Sequence, residues 1–334
     1  MPRPCTNPDD FQILSTDETA PSSPAPPKAK PPVPYSEDMA KASKFPLREF
    51  WEDKKARLRR VSPFGSLPNW NLYSVIYKHG DDLRQEQLAI QLIKQFHNIF
   101  QDAGLPLYLK PYHILVTSGH SGLIEVLTDA VSLHQLKKEI DGFTTLSQWF
   151  KDSFHSPSRD YSLAQRNFVE SLAGYSIVTH LLAIKDRHNG NILIDAFGRI
   201  IHIDYGFMLT NSPGFNMNFE SAPFKLTQEY IDVMEGIDSS VFQYFKALLI
   251  RGFIEARKHA EKIACLVDMM LEGSVLPCFA RGEAASIELR ERFCQNLTED
   301  EYLAHIEGMI EKSCNNWNTR QYDKFQYLTN GIMI

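Results

Sequence analysis

Apolar residues recur near helical spacing over Asp82 to Phe100, at Leu83, Ile90, Ile93 and Phe96 or Phe100. The same period predicts helices over Phe50 to Arg60, Leu163 to Ala183, Thr227 to Met234, Ser239 to Leu271, Ala285 to Phe293, Thr298 to Lys312 and Arg320 to Leu328. The pattern shortens to β-prone runs at Leu72 to Lys78, before the helix over Asp82 to Phe100, and after it at Leu107 to Leu109, His113 to Thr117 and Leu123 to Leu127. Pro106, Pro111 and the stretch Gly119-His120-Ser121-Gly122 separate them, which predicts a small antiparallel sheet. Ile192 to Asp195 and Ile200 to Ile203 flank the turn Ala196-Phe197-Gly198-Arg199 and predict a two-stranded ribbon. The N-terminal stretch breaks every period: ten of the 19 prolines precede residue 35. Such a composition predicts a disordered Pro-rich linker over residues 1–46, with PPKAKPPVP read as solvated spacer before a peptide-groove ligand. The remainder reads as α+β in two lobes, a sheet-bearing N-lobe over 47–127 and a larger, mostly helical C-lobe over 128–334.

The chemistry concentrates in Lys185 to Phe207, KDRHNGNILIDAFGRIIHIDYGF. Asp186, His188 and Asn191 lie in a polar loop before the ribbon, and Asp204 follows its second strand, so the ribbon gathers both ends. Phosphoryl transfer needs Mg²⁺ on the β and γ phosphates, a proton acceptor near the attacking hydroxyl and a cation on the phosphates. Asn191 lies five residues after Asp186, the offset of Asp and Asn in the protein-kinase catalytic loop, and Asp204 takes the place of that family's metal-binding aspartate. Asn191 and Asp204 are therefore the candidate Mg²⁺ ligands, their oxygens suiting a hard cation. Asp186 has the kinase offset and His188 the more suitable ordinary pKa, so both are candidates for receiving the hydroxyl proton. Lys78, at the end of a predicted strand, and Glu86, on the following helix, can pair and hold the lysine against phosphate.

Protein kinases write the loop His-Arg-Asp; this chain writes Asp-Arg-His. DRHNGN followed by IDYGF resembles the phosphatidylinositol 3- and 4-kinase superfamily, and KHGDDLRQE at Lys78 to Glu86 resembles its ATP-lysine segment. Within it, SPFGSLPNW, KPYHILV, AQRNFV and the terminal FQYLTNGIM look most like type III beta phosphatidylinositol 4-kinases, so the likeness runs from about Phe50 to Ile334. Tyr205 departs from the family's usual Phe. The resemblance implies a two-lobed kinase-like fold that uses ATP with Mg²⁺ or Mn²⁺. It implies Ile124 as gatekeeper, Glu125 and Leu127 as hinge, Leu193 and Ile203 as the lower face of the adenine slot, and Tyr112 beside the phosphate lysine. It further implies transfer to the inositol 4-hydroxyl of phosphatidylinositol, a cytoplasmic enzyme peripheral on Golgi or other intracellular membranes, and small-GTPase or adaptor partners.

Composition narrows the alternatives. A net charge of −6 carries no basic field, which disfavours nucleic acid as partner. Five cysteines without a CxxC pair suggest reduced thiols. No apolar run approaches the roughly 20 residues of a spanning helix, so membrane attachment is expected to be peripheral; the chain is expected to be a monomer. The resemblance implies that the loop from Phe207 to Thr227 touches the inositol headgroup; its one cation is Lys225, the candidate headgroup contact, and so lean a loop favours unphosphorylated inositide. Trp317 to Ile334 mixes aromatics, Leu, Ile and Met with Arg320 and Lys324, which suits an interfacial helix or one docked on the C-lobe. A phosphatidylinositol 3-kinase is the nearest competing reading; a protein kinase or an inactive kinase-like scaffold follows.

Overall fold

The computed structural model describes residues 45–47, 49–213 and 221–334; the Pro-rich stretch up to residue 44 lies outside them. Phe45 belongs to the folded body, because it is buried and its ring packs 6.1 Å from that of Trp149.

Helix α1 (Trp51–Val61) precedes strand β1 (Val75–His79) and helix α2 (Arg84–Asp102). Leu88, Leu92, Phe96 and Phe100 of α2 are buried with their i+1 neighbours Ala89 and Ile93, the stripe that the period requires. Strands β2 (Ile114–Ser118) and β3 (Ser121–Glu125) complete a three-stranded antiparallel sheet in the order β1-β3-β2, with Ile76 and Ile114 both opposite Ile124 and Lys78 opposite Gly122. A Cβ at Gly122 would sit 2.7 Å from Leu83 Cδ1 and 2.8 Å from Leu115 O, so a glycine lets α2 close over the sheet. The run Leu107 to Leu109 is no strand: the Tyr108 amide donates to Glu170 O and the Lys110 amide to the Tyr175 hydroxyl, so a helix takes up the segment.

That helix is α5 (Arg159–Leu181), capped at Ser158 and buried along nearly its whole length. Before it come strand β4 (Ala130–Ser132) and helices α3 (Leu133–Glu139) and α4 (Leu146–Ser153), all three too short for their period to stand out in the sequence. Strand β4 pairs with the ribbon of β5 (Ile192–Asp195) and β6 (Ile200–His202) in a second antiparallel sheet, β4-β5-β6. Helices α6 (Gln228–Val233), α7 (Ser240–Lys258), α8 (Ala260–Leu271), α9 (Ala284–Arg292), α10 (Glu299–Ser313) and α11 (Trp317–Asn330) make the rest. The expected single helix over 239–271 breaks at His259 (φ −106°, ψ 13°) without a Gly or Pro. Gly252 on α7 brings that helix against α5 and the 107 segment, for a Cβ there would lie 2.4 Å from Ile177 Cδ1 and 2.6 Å from Leu107 Cδ1. Among the described residues no helix is long and apolar enough to cross a membrane.

Candidate active site

The ribbon fixes the site. Ile192 faces His202 and the Ile203 amide donates to Asn191 O, so the polar loop before β5 and the aspartate after β6 leave the same end of the sheet. Arg187, nearly buried, locks that end: its guanidinium donates to Lys185 O, to Ile203 O at 2.7 Å and to Asp204 O. It is a structural donor, stacked 5.6 Å above the Tyr205 ring. The Tyr205 hydroxyl finds His202 O at 2.8 Å, so the departure from Phe costs no unpaired group and leaves Asp204 untouched.

Both aspartates sit in left-handed backbone, Asp186 at φ +64° and Asp204 at φ +58°. Few residues other than glycine accept that conformation and Asp is among them, and such positions cluster where structure holds a side chain to a task. Asp204 is exposed and its Oδ1 also accepts from the Gly206 amide at 3.2 Å. The Asn191 side-chain amide donates to Asp186 O at 3.1 Å and reaches Asp186 Oδ2 at 3.4 Å, leaving its Oδ1 as the oxygen available to a cation. No cluster of three His, Cys, Asp or Glu side chains suited to a metal occurs among the described residues. A cation at this end of the ribbon would thus rest on two protein oxygens, one amide and one carboxylate, which fits Mg²⁺ shared with phosphate and water.

The His188 Nδ1 accepts from the Gly190 amide at 3.1 Å, so the ring proton of the neutral imidazole sits on Nε2, 3.7 Å from Asp186 Oδ1. Burial holds this histidine below its ordinary range, opposed by the Asp186 carboxylate and helped by Arg187. Asp204 also acts on it, and on Glu86 of α2, whose carboxyl is pushed up mainly by burial and drawn down by Tyr112, Lys78 and Arg187. Asp204 therefore lies within electrostatic reach of both the polar loop and the N-lobe helix.

The expected Lys78–Glu86 pair is absent. Glu86 accepts from the Tyr112 hydroxyl at 2.6 Å, and the half-exposed Lys78 ammonium lies 3.9 Å from Asp81. Tyr112 is buried, which raises its phenol well above its ordinary range and keeps it a donor to Glu86. Ile124, Leu127, Leu193 and Ile203 are each half-buried against the core. The Glu125 amide donates to His113 O, and its carboxylate takes the His113 amide and ring at 2.8 and 2.6 Å. Lys225 is placed elsewhere than expected. Its ammonium is buried, 2.7 Å from Asp323 on α11 and 3.5 Å from Asn189, so it ties the chain's last helix to the loop and is no free headgroup contact.

Three contributors, Gln85, Tyr322 and Gln326, were not singled out by the sequence, although two of them lie within its motifs. Gln85 donates to Tyr205 O and Gly206 O and accepts from the Cys278 amide, which joins α2, the Asp204 turn and the C-lobe. On α11, Tyr322 and Gln326 reach Asp186.

A small antiparallel sheet with its helix, a helical second lobe, and a loop and ribbon that converge an Asp, an Asn and a second Asp define a two-lobed kinase-like catalytic domain. The family model for phosphatidylinositol 3- and 4-kinases matches residues 72–279. A Dictyostelium discoideum phosphatidylinositol 4-kinase is 53% identical over 293 residues, covering 87% of this chain and 25% of that protein. Phosphatidylinositol 4-kinase beta 2 of Arabidopsis thaliana is 52% identical over 298 residues, 88% and 26% respectively, and phosphatidylinositol 4-kinase beta of Sorex araneus 48% over 305 residues, 91% and 38%. The chain belongs to the phosphatidylinositol 3- and 4-kinase family, and the likeness to the beta-type 4-kinases read from its motifs is borne out. It spans about a quarter to two fifths of the length of these relatives.

Proposed function

We propose that this chain transfers the γ-phosphate of ATP to the inositol 4-hydroxyl of phosphatidylinositol. The observation that carries the reading is the gathering of Asp186, His188, Asn191 and Asp204 at one end of the β5-β6 ribbon, in a chain about half identical to proteins named phosphatidylinositol 4-kinase. Those names favour the 4-hydroxyl over the 3-hydroxyl. Asn191 and Asp204 would hold Mg²⁺, which when bound clamps the β and γ phosphates and neutralises their charge. Lys78, half-exposed beside Asp81, is free to swing onto phosphate. In the tautomer that Gly190 selects, His188 presents no lone pair to an acceptor hydroxyl. This supports Asp186 as the group that takes the proton, with His188 beside it.

With Lys225 committed to Asp323, the stretch from Phe207 to Thr227 contains no further Lys or Arg to meet extra phosphates. Each missing charge-assisted contact is worth roughly 1.5–3 kcal/mol, about tenfold or more. Vesicles of phosphatidylinositol, incubated with labelled ATP and Mg²⁺, are expected to yield the 4-phosphate at least about tenfold faster than matched bisphosphate vesicles yield product. Equal turnover of both refutes the acceptor assignment, and a 3-phosphate product refutes the position.

Helix α11 suits the membrane as well as the C-lobe. Thr319, Tyr322, Asp323 and Gln326 are buried at helical spacing, while Trp317, Phe325 and Leu328 are exposed, Leu328 by 81%. That outer face supports peripheral attachment, and the family likeness supports Golgi or other intracellular membranes as its place and small GTPases or adaptors as recruiters. Replacing Phe325 and Leu328 together by Glu should reduce vesicle binding about tenfold or more, from the lost burial of two large apolar side chains at roughly 1.5–3 kcal/mol each. Unchanged vesicle binding rejects this face as the membrane contact.

A further inference from the structure

The Asp186 carboxylate is held from outside its own loop. Its Oδ1 accepts from the Tyr322 hydroxyl, and Gln326, one helical turn on, donates to that hydroxyl at 2.8 Å and reaches Oδ1 itself at 3.4 Å. Tyr322 and Gln326 are 5% and 7% exposed, so both are fixed by packing. Three further tethers hold α11 and the residues after it in place. Asp323 pairs with Lys225, the Asn189 side chain donates to Met333 O, and the Met333 amide donates to the His134 ring, whose own backbone amide bonds Asn189 O. Every one of these bonds ends on the loop between Asp186 and Asn191 or on a direct neighbour of it.

Asp186 needs such a support. A non-glycine residue at φ +64° in a loop has no ladder of its own to aim its side chain, and a misplacement of about 1 Å at a reacting group can cost on the order of a hundredfold in rate. We propose that Tyr322, backed by Gln326, is a positioning residue for phosphoryl transfer: its hydroxyl fixes the Asp186 carboxylate in the orientation that receives the acceptor's proton. The inference rests on the role given to Asp186 above and adds to it a residue 136 positions away in the chain.

The test is Tyr322→Phe, which keeps the ring and its packing and deletes only the hydroxyl. On the full chain, kcat with phosphatidylinositol vesicles should fall roughly 10- to 100-fold, with KM for ATP within about twofold and the melting temperature within a few degrees of wild type. Asp186→Asn combined with Tyr322→Phe should cost no more than Asp186→Asn alone, because the phenol acts only through that carboxylate. Hydrogen exchange of the backbone amides from His188 to Asn191 should be faster in Tyr322→Phe, and it reads the loop whatever the acceptor is. Wild-type kcat in the variant, a loss that merely follows a fall in melting temperature, or additive losses in the double variant would overturn the proposal. If wild type phosphorylates no inositide, the functional reading falls, and unchanged loop exchange would still overturn this one.

Discussion

Asp204→Asn will abolish phosphoryl transfer, by about a thousandfold or more, while the protein keeps its fold. The substitution is chosen from the backbone: Asp204 sits at φ +58°, where alanine would be strained and asparagine is tolerated, so only the charge is lost. Structurally the side chain does little, one bond to the Gly206 amide that an asparagine oxygen can repeat. The carboxylate is exposed at the end of the ribbon and, in the reading proposed above, would supply with Asn191 the protein's oxygens for Mg²⁺. A thousandfold is about 4 kcal/mol of transition-state stabilisation, in keeping with the loss of a carboxylate proposed to hold a phosphate-bound cation. Steady-state lipid phosphorylation beside a thermal melt checks it; activity within tenfold of wild type at an unchanged melting temperature would remove Asp204 from the metal site.

Lys225→Ala will destabilise the chain in the absence of any lipid. The Lys225 and Asp323 side chains are 5% and 8% exposed and 2.7 Å apart, and removing one partner of a buried pair leaves the other charge uncompensated at a cost of about 3–5 kcal/mol. For a domain of this size that corresponds to a fall in melting temperature on the order of 6–15 °C. Replacing both partners by apolar residues, Lys225→Met with Asp323→Leu, should recover most of the loss. A residue that touched only the headgroup would behave differently: the single variant would melt as wild type and show a raised KM for lipid alone. That outcome would restore the contact expected from the sequence.

These cases also mark what the residues disclose before folding. Long periodic stretches were legible because burial on one face repeats in the sequence, as α2 shows, where the expected Ile90, Ile93, Phe96 and Phe100 are all buried. The ribbon was legible from two β-prone runs around a four-residue turn, and with it the convergence of the loop and Asp204. Local patterns fail where a distant partner decides. The 107 segment has strand composition, yet its amides go to Glu170 and Tyr175 on α5. Glu86 and Lys78 have the right spacing to pair, but Tyr112 claims the carboxylate first. Lys225 and Asp323 are 98 positions apart, and Gln85 and Cys278 are 193 apart; no periodicity connects them. Short elements such as β4, with three residues, and α3, with seven, offer too little pattern to stand out, and the break at His259 leaves no Gly or Pro as a mark.

The most direct test of the whole account is a crystal structure of the chain with a non-hydrolysable ATP analogue and Mn²⁺ in place of Mg²⁺, read by anomalous scattering. A manganese peak is expected within about 2.0–2.3 Å of both Asp204 Oδ and Asn191 Oδ1, on the phosphate side facing Lys78. A peak held by other residues, or phosphates seated away from these two oxygens, would contradict it.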